Sequence, residues 1–165
     1  QCMIVYHGST EIIKNPDVVH SKKYLDFGRG FYITTFENQA KKWAVRKGMR
    51  QKKTAIVNVY ELSEEWSGFR VLSFEKENEK WLDFVCACRK GQSLNKEYDI
   101  IIGNVADDDV FKTVDMYFRG LWNKEKVLNE LRYYKMNNQI CIVKQEALDC
   151  LLTFQKAYEV NSNGK

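Results

Sequence analysis

The hydrophobic positions of this chain switch repeatedly between a period of two and a helical period. Residues 2–6 are β-branched and aromatic and predict a strand. Residues 14–28 predict a loop, with Asn15-Pro16-Asp17 as a turn and Gly28 and Gly30 as flexible points. Residues 31–34 predict a short second strand. A helix follows over 36–49, with Phe36, Ala40, Trp43 and Ala44 on one face, lysines on the other, and Thr34 or Thr35 as N-cap. Strands are predicted at 54–61 and 69–74. A helix at 78–89 aligns Trp81, Phe84, Val85 and Cys88, and an apolar strand at 98–102 ends at Gly103. Asp107-Asp108-Asp109 opens another helix, with negative charge where the helix dipole favours it. The pattern then predicts a helix at 124–135 on Val127, Leu128, Leu131 and Tyr134, a strand at 138–143 and a last helix at 145–157. The class is α+β, with two short sheets around a cleft and helices outside. Residues 1–160 read as one domain, and 161–165 as a frayed tail.

Composition narrows this picture. A hydrophobic content of 44% and a single proline fit an ordered globular protein. No apolar run approaches the ~20 residues of a membrane span. The N-terminus reads as a strand rather than a signal peptide. Of the five cysteines, Cys86-Ala87-Cys88 lacks the two-residue spacer of a zinc or redox pair, and no histidine-rich segment completes a metal site. They read as reduced, buried thiols, which points to the cytoplasm. The net charge is +4, and Lys41, Lys42, Arg46, Lys47, Arg50, Lys52 and Lys53 crowd into one segment. That cluster suits phosphate or an acidic partner, or the solvated face of a helix.

Two segments carry candidate chemistry. In Tyr6-His7-Gly8-Ser9 the glycine lets the backbone approach a ligand closely, between two polar side chains. In Asp26-Phe27-Gly28-Arg29-Gly30-Phe31-Tyr32 a glycine loop runs into a strand, where Tyr32 presents a flat face beside Gly8. Trp43 offers either a second face or core packing. A planar ring held between aromatic faces, with its amide on a glycine backbone, suits nicotinamide. No strand–GxGxxG–helix unit occurs, so the expected NAD site is not of the Rossmann kind. His20 reads as solvated, Trp81 and Trp122 as packing, and Asp99 as the tie of a turn.

On these residues the chain resembles the ADP-ribosyltransferase superfamily, on the branch shared by diphtheria toxin and the poly(ADP-ribose) polymerases. His7-Gly8-Ser9 is similar to that branch's first motif. Gly30-Phe31-Tyr32, followed by Gln39-Ala40 and Trp43, is similar to its second. More closely, the chain resembles a family of small uncharacterised bacterial proteins related to these transferases. That likeness covers most of the chain and includes Tyr98-Asp99-Ile100-Ile101-Ile102-Gly103, Val105 to Asp109 and Asn138-Gln139. The resemblance implies split antiparallel sheets around an NAD cleft, NAD as substrate and no metal. It implies that His7 bonds the nicotinamide-side ribose, Gly8 holds the carboxamide, Ser9 reaches the adenosine side, and Tyr32 and Trp43 sandwich the nicotinamide beside Phe31. Ala40 stands where many polymerase relatives have a carboxamide-binding serine.

The branch uses a His, a Tyr and a Glu on three strands. Here Gln139 takes the third place. A glutamine oxygen still accepts from a ribose hydroxyl, but it offers no full charge to the developing cation. Asp107 or Asp108 is either a substitute carboxylate or a helix cap. Some relatives look like toxins of toxin–antitoxin or phage-defence loci. The resemblance therefore implies a mono-ADP-ribosyltransferase acting on nucleic acid or protein, with a cognate antitoxin protein. The alternatives are an NAD- or ADP-ribose-binding pseudoenzyme and an NAD glycohydrolase.

Overall fold

A computed structural model describes residues 1–21, 25–76, 78–104, 108–132 and 138–161. The first sheet holds β1 (Cys2–Ser9), β3 (Ala55–Ser63) and β7 (Leu152–Val160), in the order β1-β3-β7. The second holds β2 (Phe31–Ile33), β4 (Val71–Ser73), β5 (Ile100–Asn104) and β6 (Asn138–Ile142), in the order β2-β6-β5-β4. The helices are α1 (Glu37–Gln51), α2 (Glu79–Arg89), α3 (Asp108–Phe118), α4 (Lys124–Leu131) and α5 (Gln145–Leu151), with a 3₁₀ turn at Leu94–Glu97. The class is α+β with two sheets. The pairing is antiparallel except between β4 and β5, which run parallel.

Strand alternation gives the first sheet two apolar faces. Val57 and Val59 of β3 pack with Ala40 and Ala44 of α1. Val5, Tyr60 and Leu62 point the other way and join Phe31, Ile33, Ile100, Ile140 and Ile142 of the second sheet in one buried cluster. The far face of the second sheet packs Ile101 and Cys141 against Phe27, Trp81, Val85, Val114 and Leu131. By the same alternation Gln139 shares the far face of β6 with Cys141.

The sheets meet at one bridge. Tyr6 N–H donates to the Thr34 carbonyl at 2.8 Å, and Thr34 N–H donates to the Tyr6 carbonyl at 3.0 Å. Beyond it the next hydrogen-bonded pair of an antiparallel ladder would be Gly8 and Tyr32, and the bridge stays isolated. The ladder therefore splits at the two segments that carry the candidate chemistry.

Several expectations change. The last helix stops at Leu151, and residues 152–160 form β7, paired with β3 over its length with one register shift at Val59/Tyr60. Leu152, Phe154, Tyr158 and Val160 satisfy the strand period once β3 offers a partner edge. The first strand runs on through His7, Gly8 and Ser9. Phe36 is itself the N-cap of α1 and 46% exposed, so it does not share the buried face. Thr34 and Thr35 serve the preceding turn: both hydroxyls bond Asn138, and Thr34 Oγ1 accepts from Phe36 N–H at 3.1 Å. Cys2 and Cys150 are exposed, while Cys86, Cys88 and Cys141 are buried, and all five are free. Residues 105–107, with Asp107, Tyr134 and the tail beyond 161 lie outside the described residues, as do the side chains of Asp108 and Asp109. Among the described residues no helix is long and apolar enough to cross a membrane.

Candidate functional site

β1 sends Val5, His7 and Ser9 inward and Tyr6 and Gly8 toward α1. His7 is buried, stacks on the Phe31 ring at 4.2 Å, and places Nδ1 2.6 Å from the Tyr32 carbonyl oxygen. A carbonyl only accepts, so Nδ1 carries the proton and Nε2 keeps a lone pair. Burial, reinforced by the charge of Lys47, pulls the imidazole pKa down to about 3. His7 is therefore a neutral hydrogen-bond acceptor across physiological pH.

Gly8 has a structural reason to be glycine. A Cβ there would lie 2.1 Å from the Ala40 carbonyl oxygen and 2.6 Å from the Ala44 nitrogen. The close approach that glycine permits is to α1. Gly8 also keeps a backbone role, because alternation turns its N–H and C=O to the same edge as those of Tyr6, where pairing with β2 stops. The same contact brings Trp43 over β1: its Cβ would be 3.0 Å from a Gly8 Cβ. Trp43 is half-buried and lines the cavity, so it serves both packing and the cavity wall.

Tyr32 pins the glycine loop. Its hydroxyl donates to the Gly28 carbonyl at 2.5 Å and accepts from Phe27 N–H at 3.0 Å. Burial, then the neighbouring Cys141 and Asp26, push its pKa up and keep it a phenol. Gly28 adopts φ +78°, a left-handed conformation that glycine takes without strain. Gly30 N–H bonds Ser21 Oγ at 2.9 Å. The segment expected to be flexible at Gly28 and Gly30 is thus tied at both.

Gln139 sits on β6 opposite Gly103 of β5 and is buried. Its Nε2 donates to Asp26 Oδ2 at 3.4 Å and to the Asn104 carbonyl at 3.3 Å. Two acceptors fix the amide orientation and leave Oε1 as the outward acceptor. Asp26 is held in turn by Arg89, whose Nε and Nη2 both donate to Oδ1, at 2.9 and 2.7 Å. This pair is well buried, at 9% exposure for the Arg89 side chain and 16% for that of Asp26. The Arg89 guanidinium also lies 4.4 Å over the ring of Phe111.

His7, Gly8, Ser9, Phe31, Tyr32, Trp43 and Gln139 all line one cavity of about 1280 Å³. All seven residues predicted as site residues are brought together. The cavity also takes in Lys47 and Gln51 of α1, Asp26, Arg89, and Phe111, Asp115 and Phe118 on one face of α3. The sequence placed Lys47 only in the basic cluster and Asp26 only at the head of the glycine loop, and it gave the others no role. Asp26 carried a signal, a carboxylate opening the glycine loop; Arg89 carried none, since its partner is distant in the chain. His20 lies on the cavity rim with a side chain 86% exposed and paired to Asp17, in keeping with a solvated residue. Among the described residues no three His, Cys, Asp or Glu side chains gather where they could hold a metal ion.

The family model described as "Protein of unknown function (DUF3990)" matches residues 3–154. No curated protein matches the chain.

Proposed function

The chain belongs to the DUF3990 family, whose function is unknown, and from that premise we propose that its cavity binds NAD, breaks the nicotinamide–ribose bond and passes ADP-ribose to a macromolecule. One observation carries the reading: His7 of the first sheet and Gln139 of the second line the same cavity, with Tyr32 between them at the split. The resemblance to ADP-ribosyltransferases assigns these three positions to one reaction centre, and a shared cavity is in keeping with that assignment.

The chemistry of the groups supports it. Neutral His7 Nε2 accepts from a ribose hydroxyl, with its ring fixed by Phe31 and the Tyr32 carbonyl. The Gly8 N–H and C=O face a gap in the ladder and match the C=O and N–H of a carboxamide. Tyr32 and Trp43 supply apolar surface for a flat ring. Gln139 Oε1 accepts from the second ribose hydroxyl. Nicotinamide then leaves as a neutral molecule with the electron pair of the glycosidic bond, and the acceptor nucleophile takes its place on the ribose carbon and gives up its proton to water. A cavity of about 1280 Å³ exceeds the ~300–1,000 Å³ usual for small ligands and suits a dinucleotide.

A second reading is favoured by one observation. Gln139 is uncharged and the nearby Asp26 carboxylate is already paired with Arg89, which suits binding of NAD or ADP-ribose without turnover. The bacterial toxin or defence setting and a cognate antitoxin come from the resemblance alone, and the cytoplasmic location from the unpaired cysteines. The test is incubation with labelled NAD and cell lysate, with and without nuclease. Label on nucleic acid or protein supports transfer, free ADP-ribose supports hydrolysis, and bound but intact NAD supports the binding module. A chain that does not bind NAD refutes the reading.

A further inference from the structure

We propose that Asp26 is the positioning residue that lets Gln139 act where a carboxylate would otherwise be needed, so that the site's negative charge sits one hydrogen bond away from its usual place. This rests on the NAD-cleaving reading above.

The geometry gives each oxygen of Asp26 a separate task. Oδ1 takes both Arg89 donors, and Oδ2 is left for the Gln139 amide. The ion pair is therefore an oriented dipole with its negative end on Gln139. A hydrogen bond to a carboxylate polarises the amide and makes Oε1 a stronger acceptor. The second amide hydrogen goes to the Asn104 carbonyl, so the amide cannot turn over without setting its oxygen against two acceptors. Arg89 is itself held by the ring of Phe111 and lines the cavity beside Asp26 and Gln139. The chain Phe111–Arg89–Asp26–Gln139 thus links α3, α2, the glycine loop and β6. It aims one neutral oxygen into the cavity with a buried negative charge behind it.

The arrangement also changes what a restored carboxylate would do. Glu at 139 would meet Asp26 Oδ2 and the Asn104 carbonyl at the positions where Gln139 now donates, at 3.4 and 3.3 Å. Two carboxylates at that distance cannot both ionise freely. Gln139 is the residue that fits beside Asp26, and Glu fits there only if Asp26 gives up its charge.

The test compares the wild-type chain with Asp26→Asn, Gln139→Glu and the Asp26→Asn/Gln139→Glu double variant. It reads NAD dissociation constants, kcat and KM for nicotinamide release, thermal melting, and the side-chain amide resonance of Gln139. Asp26→Asn is expected to lower kcat by on the order of 10²-fold, with KM moving less than about threefold, and to shift the Gln139 amide signal. Gln139→Glu alone is expected to fall below wild type. The double variant is expected to regain at least about tenfold over Asp26→Asn, because it returns one charge to the site without a like-charged neighbour; a purely structural Asp26 would show no such rescue. If Asp26→Asn does not fold, Asp26→Asn/Arg89→Gln removes both charges together and is expected to show the same loss in kcat. Unchanged kcat in the folded Asp26 variants, or no rescue in the double variant, overturns this inference and leaves the NAD reading intact. A wild-type chain that binds NAD without releasing nicotinamide overturns the inference and leaves binding standing. A wild-type chain that does not bind NAD overturns both.

Discussion

His7 Nδ1 and the backbone carbonyl of Tyr32 meet at 2.6 Å, at the point where pairing between β1 and β2 stops. The bond does two things at once. It takes the carbonyl that strand pairing would have given to the Gly8 N–H, and it fixes the His7 tautomer with a lone pair on Nε2.

That bond predicts a pH signature. In the unfolded chain His7 has the ordinary pKa of 6.5, and in the fold it is lowered to about 3. Between those values the unfolded state binds more protons. The stability from neutral His7 is full above about pH 6.5 and is lost as the pH falls toward 3, with a limiting slope of ~1.4 kcal/mol per pH unit. Wild type minus His7→Gln melting temperature should therefore shrink steadily between pH 7 and about pH 4.5. NAD affinity should meanwhile hold constant down to about pH 5.5, because the acceptor stays neutral. A His7 that titrated normally would lose affinity near pH 6.5, and calorimetric binding across that range distinguishes the two.

Tyr32 needs two substitutions to separate its roles. Tyr32→Phe removes only the hydroxyl that bridges Phe27 N–H and the Gly28 carbonyl, and should cost about 1–3 kcal/mol. Tyr32→Ala also empties a buried volume and should cost about 3–5 kcal/mol, so its effect on NAD cannot be read as a lost contact alone. Urea denaturation of both variants checks this. A Tyr32→Phe protein as stable as wild type would mean that the hydroxyl does not hold the loop.

What the sequence made legible follows from how local each signal is. The Tyr6-His7-Gly8-Ser9 and Gly30-Phe31-Tyr32 segments each sit on one strand, and Gln139 could be placed by its neighbours on β6, so all three could be read from short stretches. The pair Asp26–Arg89 joins a loop to the end of α2, and no periodicity reports such a contact. The run from Gln145 to Val160 was ambiguous because neither Gly nor Pro marks the change at Leu151–Leu152. Leu148 and Leu151 fit a helix, while Leu152 and Phe154 fit either period, and β3 decides between them. Gly8 was legible as special but not for its main reason, since the carbonyl of Ala40 that it accommodates belongs to a helix two elements further along the chain.

The basic segment divides in the structure. Lys42, Arg46 and Arg50 are exposed on α1, whereas Lys47 is half-buried, lines the cavity and depresses the proton affinity of His7. Lys42→Gln/Arg46→Gln/Arg50→Gln should leave NAD affinity unchanged. If the acceptor is a nucleic acid, it should flatten the salt dependence of acceptor binding, by up to about three in the log–log slope. Lys47→Gln should instead weaken NAD binding several-fold. Equal effects from both variants, measured as affinity against salt concentration, would deny that the segment has two faces.

Gly8→Ala is the sharpest test of how the strand and helix share the site. The added methyl would be placed 2.1 Å from a carbonyl oxygen and 2.6 Å from an amide nitrogen of α1, both backbone atoms that no rotamer change can move aside. Either α1 lifts from β1 or the strand bends, and overpacking of this kind costs about 1–3 kcal/mol or more. Because Trp43 and Lys47 ride on α1, the displacement should weaken NAD binding together with the melting temperature. Trimming Ala40 to Gly should not rescue it, since the clash is with the Ala40 carbonyl rather than its side chain. A Gly8→Ala protein that melts like wild type yet loses NAD would place the glycine's whole importance at the ligand and show that α1 does not pack on Gly8 as closely as 2.1 Å implies.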